Sequence, residues 1–243
     1  MAIEFKTPAE SALATGVKML IYGSAGSGKT VTCVTAEEPT LIISAEAGLL
    51  SIKDAPDSIQ KMIQIAECST RADVEEVLEY LQAKGAPPWV CVDSISEIAE
   101  VVLAEELDKP SGKDPRKAYG ELAIVMTNLI KGFRNLPNTN VVMTAKLDRV
   151  QDGMSNAMLY GPSMPGQKMG QALPYFFDFV GALRVDKDNE GRLIRSIQTN
   201  RDAQYEAKDR SGKLDIFEKP SLKIIKDKIV ATPPKAVKKA KAA

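Results

Sequence analysis

Residues 17–30 of the 243-residue chain decide its fold, and they read Val17-Lys18-Met19-Leu20-Ile21-Tyr22-Gly23-Ser24-Ala25-Gly26-Ser27-Gly28-Lys29-Thr30. The first six residues are mostly apolar and predict a buried strand. The next eight fit the pattern G-x-x-x-x-G-K-S/T, whose glycines let successive backbone N–H groups point at phosphate oxygens. A helix that starts behind the loop adds positive potential. The stretch therefore predicts a phosphate-binding loop, with a glycine-rich turn and an exposed lysine as the alternative.

The chemistry of such a loop assigns a candidate role to each of its residues. The candidate nucleotide contacts are Gly23, Ser24, Ala25, Gly26, Ser27, Gly28, Lys29 and Thr30. Lys29 would also assist catalysis by bridging the β- and γ-phosphates, and the Thr30 hydroxyl would ligate Mg²⁺. The motif thus predicts ATP and Mg²⁺ as the cofactors.

The composition limits the other classes of function. The chain is 44% hydrophobic with a formal net charge of zero, so DNA contacts would need local basic patches. It lacks an apolar run of roughly 18 residues, which predicts no membrane partner. It has no histidine, which excludes a Ser-His-Asp triad and His-ligated metals. An odd number of cysteines, three, favours a reducing cytoplasm over a disulfide framework.

Strands alternate with helices along most of the chain, which predicts a parallel sheet covered on both faces. Strands are predicted at 17–22, 40–44, 62–66, 89–93 and 140–144, and helices at 71–84, 94–107 and 117–135. Residues 147–171, rich in Gly, Met, Ser and Pro, are predicted to be a long loop. Strands at 176–185 and 193–199 predict a hairpin. We expect one core over residues 1–230 and a disordered basic tail over residues 231–243.

Two carboxylates are candidates for the chemistry. Asp93 ends an apolar strand and would hold Mg²⁺ through water, although an aspartate there can also cap a helix. The next residue, Ser94, is not an acid, so the group that activates water must lie elsewhere. The expected place is the end of the strand next to the P-loop strand, and residues 41–46 supply Glu46 there. A solvated loop acid is the alternative interpretation of Glu46.

Four segments make the chain resemble the RecA family. Ser44-Ala45-Glu46-Ala47-Gly48-Leu49 is similar to the segment that carries that family's catalytic glutamate, and Val90-Cys91-Val92-Asp93-Ser94-Ile95 to its Mg²⁺-binding strand. Val141-Val142-Met143-Thr144-Ala145-Lys146 is similar to the strand that ends in its γ-phosphate-sensing glutamine, replaced here by Lys146. Gly170-Gln171-Ala172-Leu173, with residues 176–185, is similar to the helix and strand that follow its second DNA-binding loop.

The resemblance implies an α/β fold with a RecA-like P-loop NTPase core, in which helices flank a central, mostly parallel β-sheet that ends in a β-hairpin. The chain lacks the extra terminal domains of bacterial RecA, and so resembles the small RecA-like proteins of phages, including the Sak-group annealing proteins. That likeness implies an ATPase that forms a ring or filament on single-stranded DNA and promotes recombination or strand annealing. It also implies that the protein acts in the host cytoplasm, with a single-stranded-DNA-binding protein as a candidate partner.

The resemblance also implies two loops that contact DNA. The first would contribute Lys109, Lys113, Arg116 and Lys117 as phosphate contacts, with a solvated helix connection as the alternative. The second would contribute Arg149, Tyr160 and Lys168, with Tyr160 stacked on a base; a lid or interface loop is the alternative.

Lys208 and Arg210 form a Lys-x-Arg pair like the one with which RecA-like helicases reach the nucleotide of an adjacent subunit. We expect them to stabilise transition-state charge in trans, with an ordinary charged turn as the alternative. Two rival functions remain: a P-loop kinase that phosphorylates a small molecule, and a nucleotide switch that binds ATP without hydrolysing it.

Overall fold

The computed structural model describes residues 5, 7, 15–46, 48–109, 114–151 and 156–231. Its strands are β1 (Lys18–Gly23), β2 (Thr40–Ser44), β3 (Ile63–Glu67), β4 (Trp89–Asp93), β5 (Asn140–Gln151), β6 (Met158–Pro162), β7 (Phe179–Lys187), β8 (Leu193–Gln198), β9 (Lys208–Asp209) and β10 (Phe217–Glu218). Its α-helices are α1 (Lys29–Cys33), α2 (Asp57–Gln60), α3 (Arg71–Lys84), α4 (Ile95–Asp108), α5 (Pro115–Arg134), α6 (Gln167–Ala172) and α7 (Leu222–Val230). Short 3-10 helices cover Val34–Ala36, Leu49–Ile52 and Leu173–Phe176.

The strands form one mixed sheet in the order β10-β8-β7-β1-β5-β4-β2-β3. The strands from β7 to β3 in this order are parallel, whereas β8 is antiparallel to β7 and β10 to β8. This confirms the predicted α/β fold with a mostly parallel central sheet. Parallel strands bring their carboxyl ends to one edge, and there Gly23 of β1 aligns with Lys146 of β5 and Leu183 of β7.

The sheet order corrects one prediction. The strand that precedes Glu46 is not next to the P-loop strand, because β5 and β4 lie between β1 and β2. The local sequence of a buried parallel strand does not specify its neighbours, which depend on the helical connections that cross between strands. Glu46 instead follows the strand beside β4, which places it next to Asp93.

Each face of the sheet carries its own hydrophobic core. On one face, Leu20 and Tyr22 of β1 lie in a cluster with apolar residues of α3, α4 and α5. On the other face, Met19 and Ile21 lie in a cluster with residues of α1 and α7. Alternate residues of β1 therefore pack on opposite sides, and all six residues of this strand are buried. The structure adds α7, which the sequence analysis did not predict.

The predicted long loop at 147–171 is wrong over much of its length. β5 continues to Gln151, and its last five residues pair antiparallel with β6. The helix α6 follows at Gln167–Ala172. Gly161 and Pro162 lie inside β6, and such residues usually mark turns. β6 pairs with β5 along its length, and within the described residues its other side carries only the bridge from Tyr160 to Tyr205, so the strand tolerates a proline at its last residue that a central strand would not.

The helix starts follow the local sequence closely. Thr70 and Asp73 form a capping box at the start of α3, and Ser94 accepts a hydrogen bond from the Glu97 backbone N–H at the start of α4. The predicted tail at residues 231–243 lies outside the described residues, except for residue 231. Across the described ranges, every helix is too short or too polar to cross a bilayer.

Candidate nucleotide-binding site

The phosphate loop connects the buried strand β1 to α1 at the carboxyl edge of the sheet. Gly26 and Gly28 have φ angles of 72° and 105°, in the region that favours glycine. Gly23 is also required, because a Cβ there would lie 2.8 Å from the Leu183 carbonyl oxygen and from Ser27 Oγ. The loop backbone therefore adopts the tight, left-handed turns that the motif predicts.

Lys29 is folded back onto its own loop. Its Nζ donates to the carbonyl oxygens of Gly23 and Ser24, both at 3.1 Å, and only 9% of the residue is exposed. Burial lowers the pKa of Lys29, and the charges of Glu46 and Asp93 act in the opposite direction. The ammonium is therefore electrostatically coupled to both candidate carboxylates. Phosphate oxygens could replace the two carbonyls as its partners.

Asp93 is held by two threonine hydroxyls. Thr30 Oγ1 donates to Asp93 Oδ2 at 2.6 Å, and Thr144 Oγ1 donates to Asp93 Oδ1. Asp93 is 2% exposed, so its carboxylate is fixed at the end of β4, directly behind the phosphate loop. A hydroxyl and a carboxylate are hard oxygen ligands of the kind that Mg²⁺ prefers.

The residues present fit a nucleotide-bound Mg²⁺ better than a metal held by protein alone. Within the described ranges, no group of three or more His, Cys, Asp and Glu residues could hold a metal ion. Mg²⁺ is usually bound by one or two carboxylates together with phosphates and water. Thr30 and Asp93 together match that pattern, so the remaining ligands would come from the nucleotide and solvent.

Glu46 lies beside Asp93 because β2 pairs with β4. Ser44 aligns with Asp93, and the Ala45 backbone N–H donates to the Asp93 carbonyl oxygen at 2.8 Å. The Ser94 hydroxyl donates to Glu46 Oε1 at 2.5 Å and so orients the carboxylate. The chain then passes over Thr30, since a Cβ on Gly48 would lie 3.2 Å from Thr30 Oγ1. The structure thus brings Lys29, Thr30, Asp93 and Glu46 to one place.

Lys146 lies at the same edge, but two acids already hold its ammonium. Its Nζ contacts Glu97 Oε2 at 2.6 Å and both carboxylate oxygens of Glu100 at 3.0 Å. Partial burial lowers the pKa of Lys146, but the hydrogen bonds to Glu97 and Glu100 outweigh it and raise the pKa above its usual value. The side chain therefore remains a cation, and its charge is largely compensated by the helix that follows Asp93.

Lys208 and Arg210 lie towards the opposite edge of the sheet. Lys208 pairs with Val180, three residues before the Leu183 that aligns with Gly23. Its Nζ donates to the Pro174 carbonyl oxygen at 2.5 Å, and Arg210 contacts Asp178 at 3.5 Å. The structure does not bring this pair to the phosphate loop of its own chain.

The candidate DNA residues lie in four regions: after α4, on α5, on α6 and on the β5–β6 hairpin. Lys109 directly follows α4 and contacts Glu106 at 2.5 Å, whereas Arg116 and Lys117 are exposed on the first turn of α5. Lys113 lies outside the described residues, as does the side chain of Lys168 on α6.

The fourth region is the β5–β6 hairpin. Arg149 lies 6.0 Å from the centre of the Tyr160 ring, and that ring stacks on Tyr205 at 4.8 Å. Tyr160, predicted to stack on a base, therefore already has an aromatic partner within the chain.

Sequence reasoning missed three residues of the site. Thr144 and Ser94 orient the two carboxylates, and their position just behind apolar runs of residues was a signal that could have identified them. Arg195 of β8 donates from Nε to the Ser27 carbonyl oxygen at 3.0 Å, and nothing in its local sequence indicates that contact.

Comparison with known proteins agrees with this geometry at the level of the family. A search of curated proteins finds no match for the chain. A family model described as AAA domain, AAA_24, matches residues 15–211, a segment that contains the phosphate loop, Glu46, Asp93 and Lys146. Because the match covers most of the chain, the protein belongs to the AAA domain family AAA_24, whose domain is a P-loop, ATPase-like nucleotide-binding unit.

Proposed function

We propose that the protein hydrolyses ATP with Mg²⁺ and uses this cycle to control its assembly on single-stranded DNA, in recombination or strand annealing. The observation that carries the hydrolytic part is the convergence of Lys29, Thr30, Asp93 and Glu46 at one edge of the sheet. A site that only bound phosphate would not need Glu46, an acid whose carboxylate is oriented by its own hydrogen bond.

The catalytic roles follow from chemistry and position. Lys29 would leave the Gly23 and Ser24 carbonyls and donate to phosphate oxygens, where its charge stabilises the transferring group. Glu46, held by Ser94, would accept a proton from the attacking water. Thr30 and Asp93 would hold Mg²⁺, which when bound neutralises charge on the phosphates.

The DNA part of the proposal is supported by the RecA-like resemblance and by the exposed cations of α5. Arg116 and Lys117 project from the first turn of this helix, and no described carboxylate lies within ion-pair distance of either. The resemblance extends to small RecA-like phage proteins such as the Sak group. In the same proposal, the protein forms a ring or filament whose subunits share active sites.

The test is the rate of ATP hydrolysis with and without single-stranded DNA, measured at low salt with duplex DNA as the control. We expect basal hydrolysis that single-stranded DNA stimulates. ATP binding without hydrolysis would favour the nucleotide switch, and phosphate transfer to a small molecule would favour the kinase. Basal hydrolysis without DNA binding would remove only the DNA part of the proposal.

A double variant localises the DNA contact. Replacing Arg116 and Lys117 with glutamine should weaken DNA binding and flatten its salt dependence by up to about 0.7 per lost phosphate contact. The matched control replaces the exposed Lys84 and Lys223, which lie on α3 and α7, with glutamine. Equal effects in both variants would mean that DNA binding depends only on the overall charge of the protein.

A further inference from the structure

Arg195 reaches the phosphate loop from the side of the sheet opposite to Asp93. On β8 it pairs with Val185, two residues beyond the Leu183 that aligns with Gly23. Its Nε donates to the Ser27 carbonyl oxygen at 3.0 Å. A Cβ on Gly28 would lie 3.4 Å from Arg195 Cδ, so the side chain covers the loop at its last glycine.

The charge of Arg195 is not compensated, unlike that of the other cations at this edge. Lys29 is coupled to Glu46 and Asp93, and Lys146 contacts Glu97 and Glu100. In the described part of the chain, no carboxylate lies within 4.0 Å of the Arg195 guanidinium. Only its Nε has a hydrogen-bond partner there. The two Nη groups of an exposed arginine are therefore available to a ligand at the loop.

The order of strands indicates which part of a bound nucleotide would lie near Arg195. The metal and water-activating groups come from β4 and β2, which lie beyond β5 on one side of β1. The reacting γ-phosphate must face that side. The β7–β8 hairpin lies on the other side of β1, so the nucleotide's remaining length, beginning with the α-phosphate, extends towards Arg195.

We infer that Arg195 binds the nucleotide of its own subunit, with its Nη groups donating to the α-phosphate while Nε braces the loop. This inference rests on the proposed nucleotide binding. A planar guanidinium suits both tasks, because its donors diverge and its charge does not depend on pH. Arg195 thereby differs from Lys208 and Arg210, which do not approach the phosphate loop of their own chain.

The decisive variant is Arg195→Gln. Glutamine Nε2 is the same number of bonds from Cα as arginine Nε, so the variant can keep the hydrogen bond to Ser27 while it loses the charge and both Nη groups. Arg195→Lys keeps the charge without the fork. The matched control is Arg192→Gln, on the same hairpin, where the arginine pairs with Asp188 and Glu190 instead.

The experiment measures dissociation constants of Mg-ATP and Mg-ADP by calorimetry, together with thermal unfolding without nucleotide. We expect Arg195→Gln to bind both nucleotides about tenfold more weakly, since hydrogen bonds to charged groups contribute about 1.5 kcal/mol at the low end. Arg195→Lys should lose less affinity, and Arg192→Gln should bind as the wild type does. Thermal unfolding of Arg195→Gln should match that of the wild type.

Three results would overturn the inference. If Arg195→Gln binds nucleotide as tightly as a wild-type protein that binds normally, Arg195 only stabilises the loop and does not contact the nucleotide. A loss confined to ATP would place the guanidinium on the γ-phosphate instead. An equal loss in Arg192→Gln would show a general charge effect. A wild-type protein that binds neither nucleotide would instead overturn the proposed function itself.

Discussion

The Asp93 carboxylate connects two threonines that come from different parts of the chain. Thr30 belongs to the phosphate loop, and Thr144 lies on β5, yet each hydroxyl donates to one oxygen of the same carboxylate. Thr144 is 1% exposed and does not face solvent. Its role is therefore to fix the orientation in which Asp93 presents its other oxygen to Thr30 and, in the proposed function, to Mg²⁺.

Thr144→Val tests this positioning role by removing only the hydroxyl group. Valine keeps the shape of threonine but cannot donate to Asp93, so we expect the Mg²⁺ concentration for half-maximal ATP hydrolysis to rise about tenfold or more. Thr144→Ser, which keeps a hydroxyl, is the control and should stay near the wild-type value. An unchanged Mg²⁺ requirement in the valine variant would show that the hydrogen bond is only structural.

Site residues that lie in local motifs could be predicted from the sequence, whereas those positioned by contacts distant in sequence could not. The phosphate loop is contiguous, and Asp93 follows an apolar strand directly, so both could be identified from sequence. The position of Lys146 was also predicted, but not the two acids of α4 that hold it. Arg195 contacts a residue that is 168 positions away in sequence, and no pattern in either segment encodes that approach.

The β5–β6 hairpin is attached to the strand that leads into the phosphate loop. The Tyr22 hydroxyl lies 3.1 Å from the Tyr160 carbonyl oxygen and 2.7 Å from that of Glu206, and Tyr22 is fully buried. Tyr160 also exchanges backbone hydrogen bonds with the segment around Tyr205. The element that carries Arg149 and Tyr160 is therefore packed against β1 and does not extend freely into solvent.

Tyr22→Phe should weaken this attachment. The change leaves buried carbonyl oxygens without their hydroxyl donor, which should lower the free energy of unfolding by about 1–2 kcal/mol in urea titrations. Tyr80→Phe is the control, because 61% of Tyr80 is exposed and a surface substitution changes stability by about 0.5 kcal/mol at most. If the two variants are equally stable, the hydroxyl does not help to hold the hairpin.

Most buried strands and long helices were predicted within one or two residues, but β7 begins three residues after its predicted start and β5 extends seven residues past its predicted end. β2 and β4 match the predicted ranges, whereas β6 was assigned to a loop because its glycine and proline are turn formers. β6 forms because the extended end of β5 offers it a partner. A pairing between segments becomes visible only when both are placed in space.

At the scale of the whole molecule, Lys18 makes stability depend on pH. Its Nζ is buried at the base of β1 and donates to the Thr139 carbonyl oxygen at 2.5 Å. Burial lowers the pKa of Lys18 to about 8, while Asp178 raises it and Arg134 lowers it further. Above that pKa the folded protein loses a proton that the unfolded chain still binds, so folding becomes more favourable as pH rises.

We therefore expect the free energy of unfolding to rise between about pH 8 and 10, with a slope of at most about 1.4 kcal/mol per pH unit. Lys18→Met should reduce this rise, to which the lowered pKa of Lys29 also contributes, whereas Lys84→Met, at an exposed lysine, should leave it unchanged. Burial raises the pKa of Tyr22, so its contribution has the opposite sign and begins only near pH 10. A pH profile that is the same in Lys18→Met and the wild type would contradict the assignment.

Assembly would complete the active site in the proposed function, since Lys208 and Arg210 do not reach the phosphate loop of their own chain. Arg210→Ala should bind ATP normally yet hydrolyse it slowly. Mixing it with Lys29→Ala should restore part of the activity, because some interfaces then pair an intact loop with an intact Lys208 and Arg210. A mixture that stays inactive, with turnover per subunit independent of protein concentration, would rule out the trans-acting role.

The central claim is that Glu46 activates water for ATP hydrolysis, and single-turnover hydrolysis by Glu46→Gln tests it most directly. Glutamine can still accept a hydrogen bond from Ser94 but cannot take a proton from water. We predict unchanged ATP affinity and hydrolysis slowed about 100-fold or more, as expected when a general base is lost. Hydrolysis at the wild-type rate by a fully ATP-bound Glu46→Gln variant would contradict the claim.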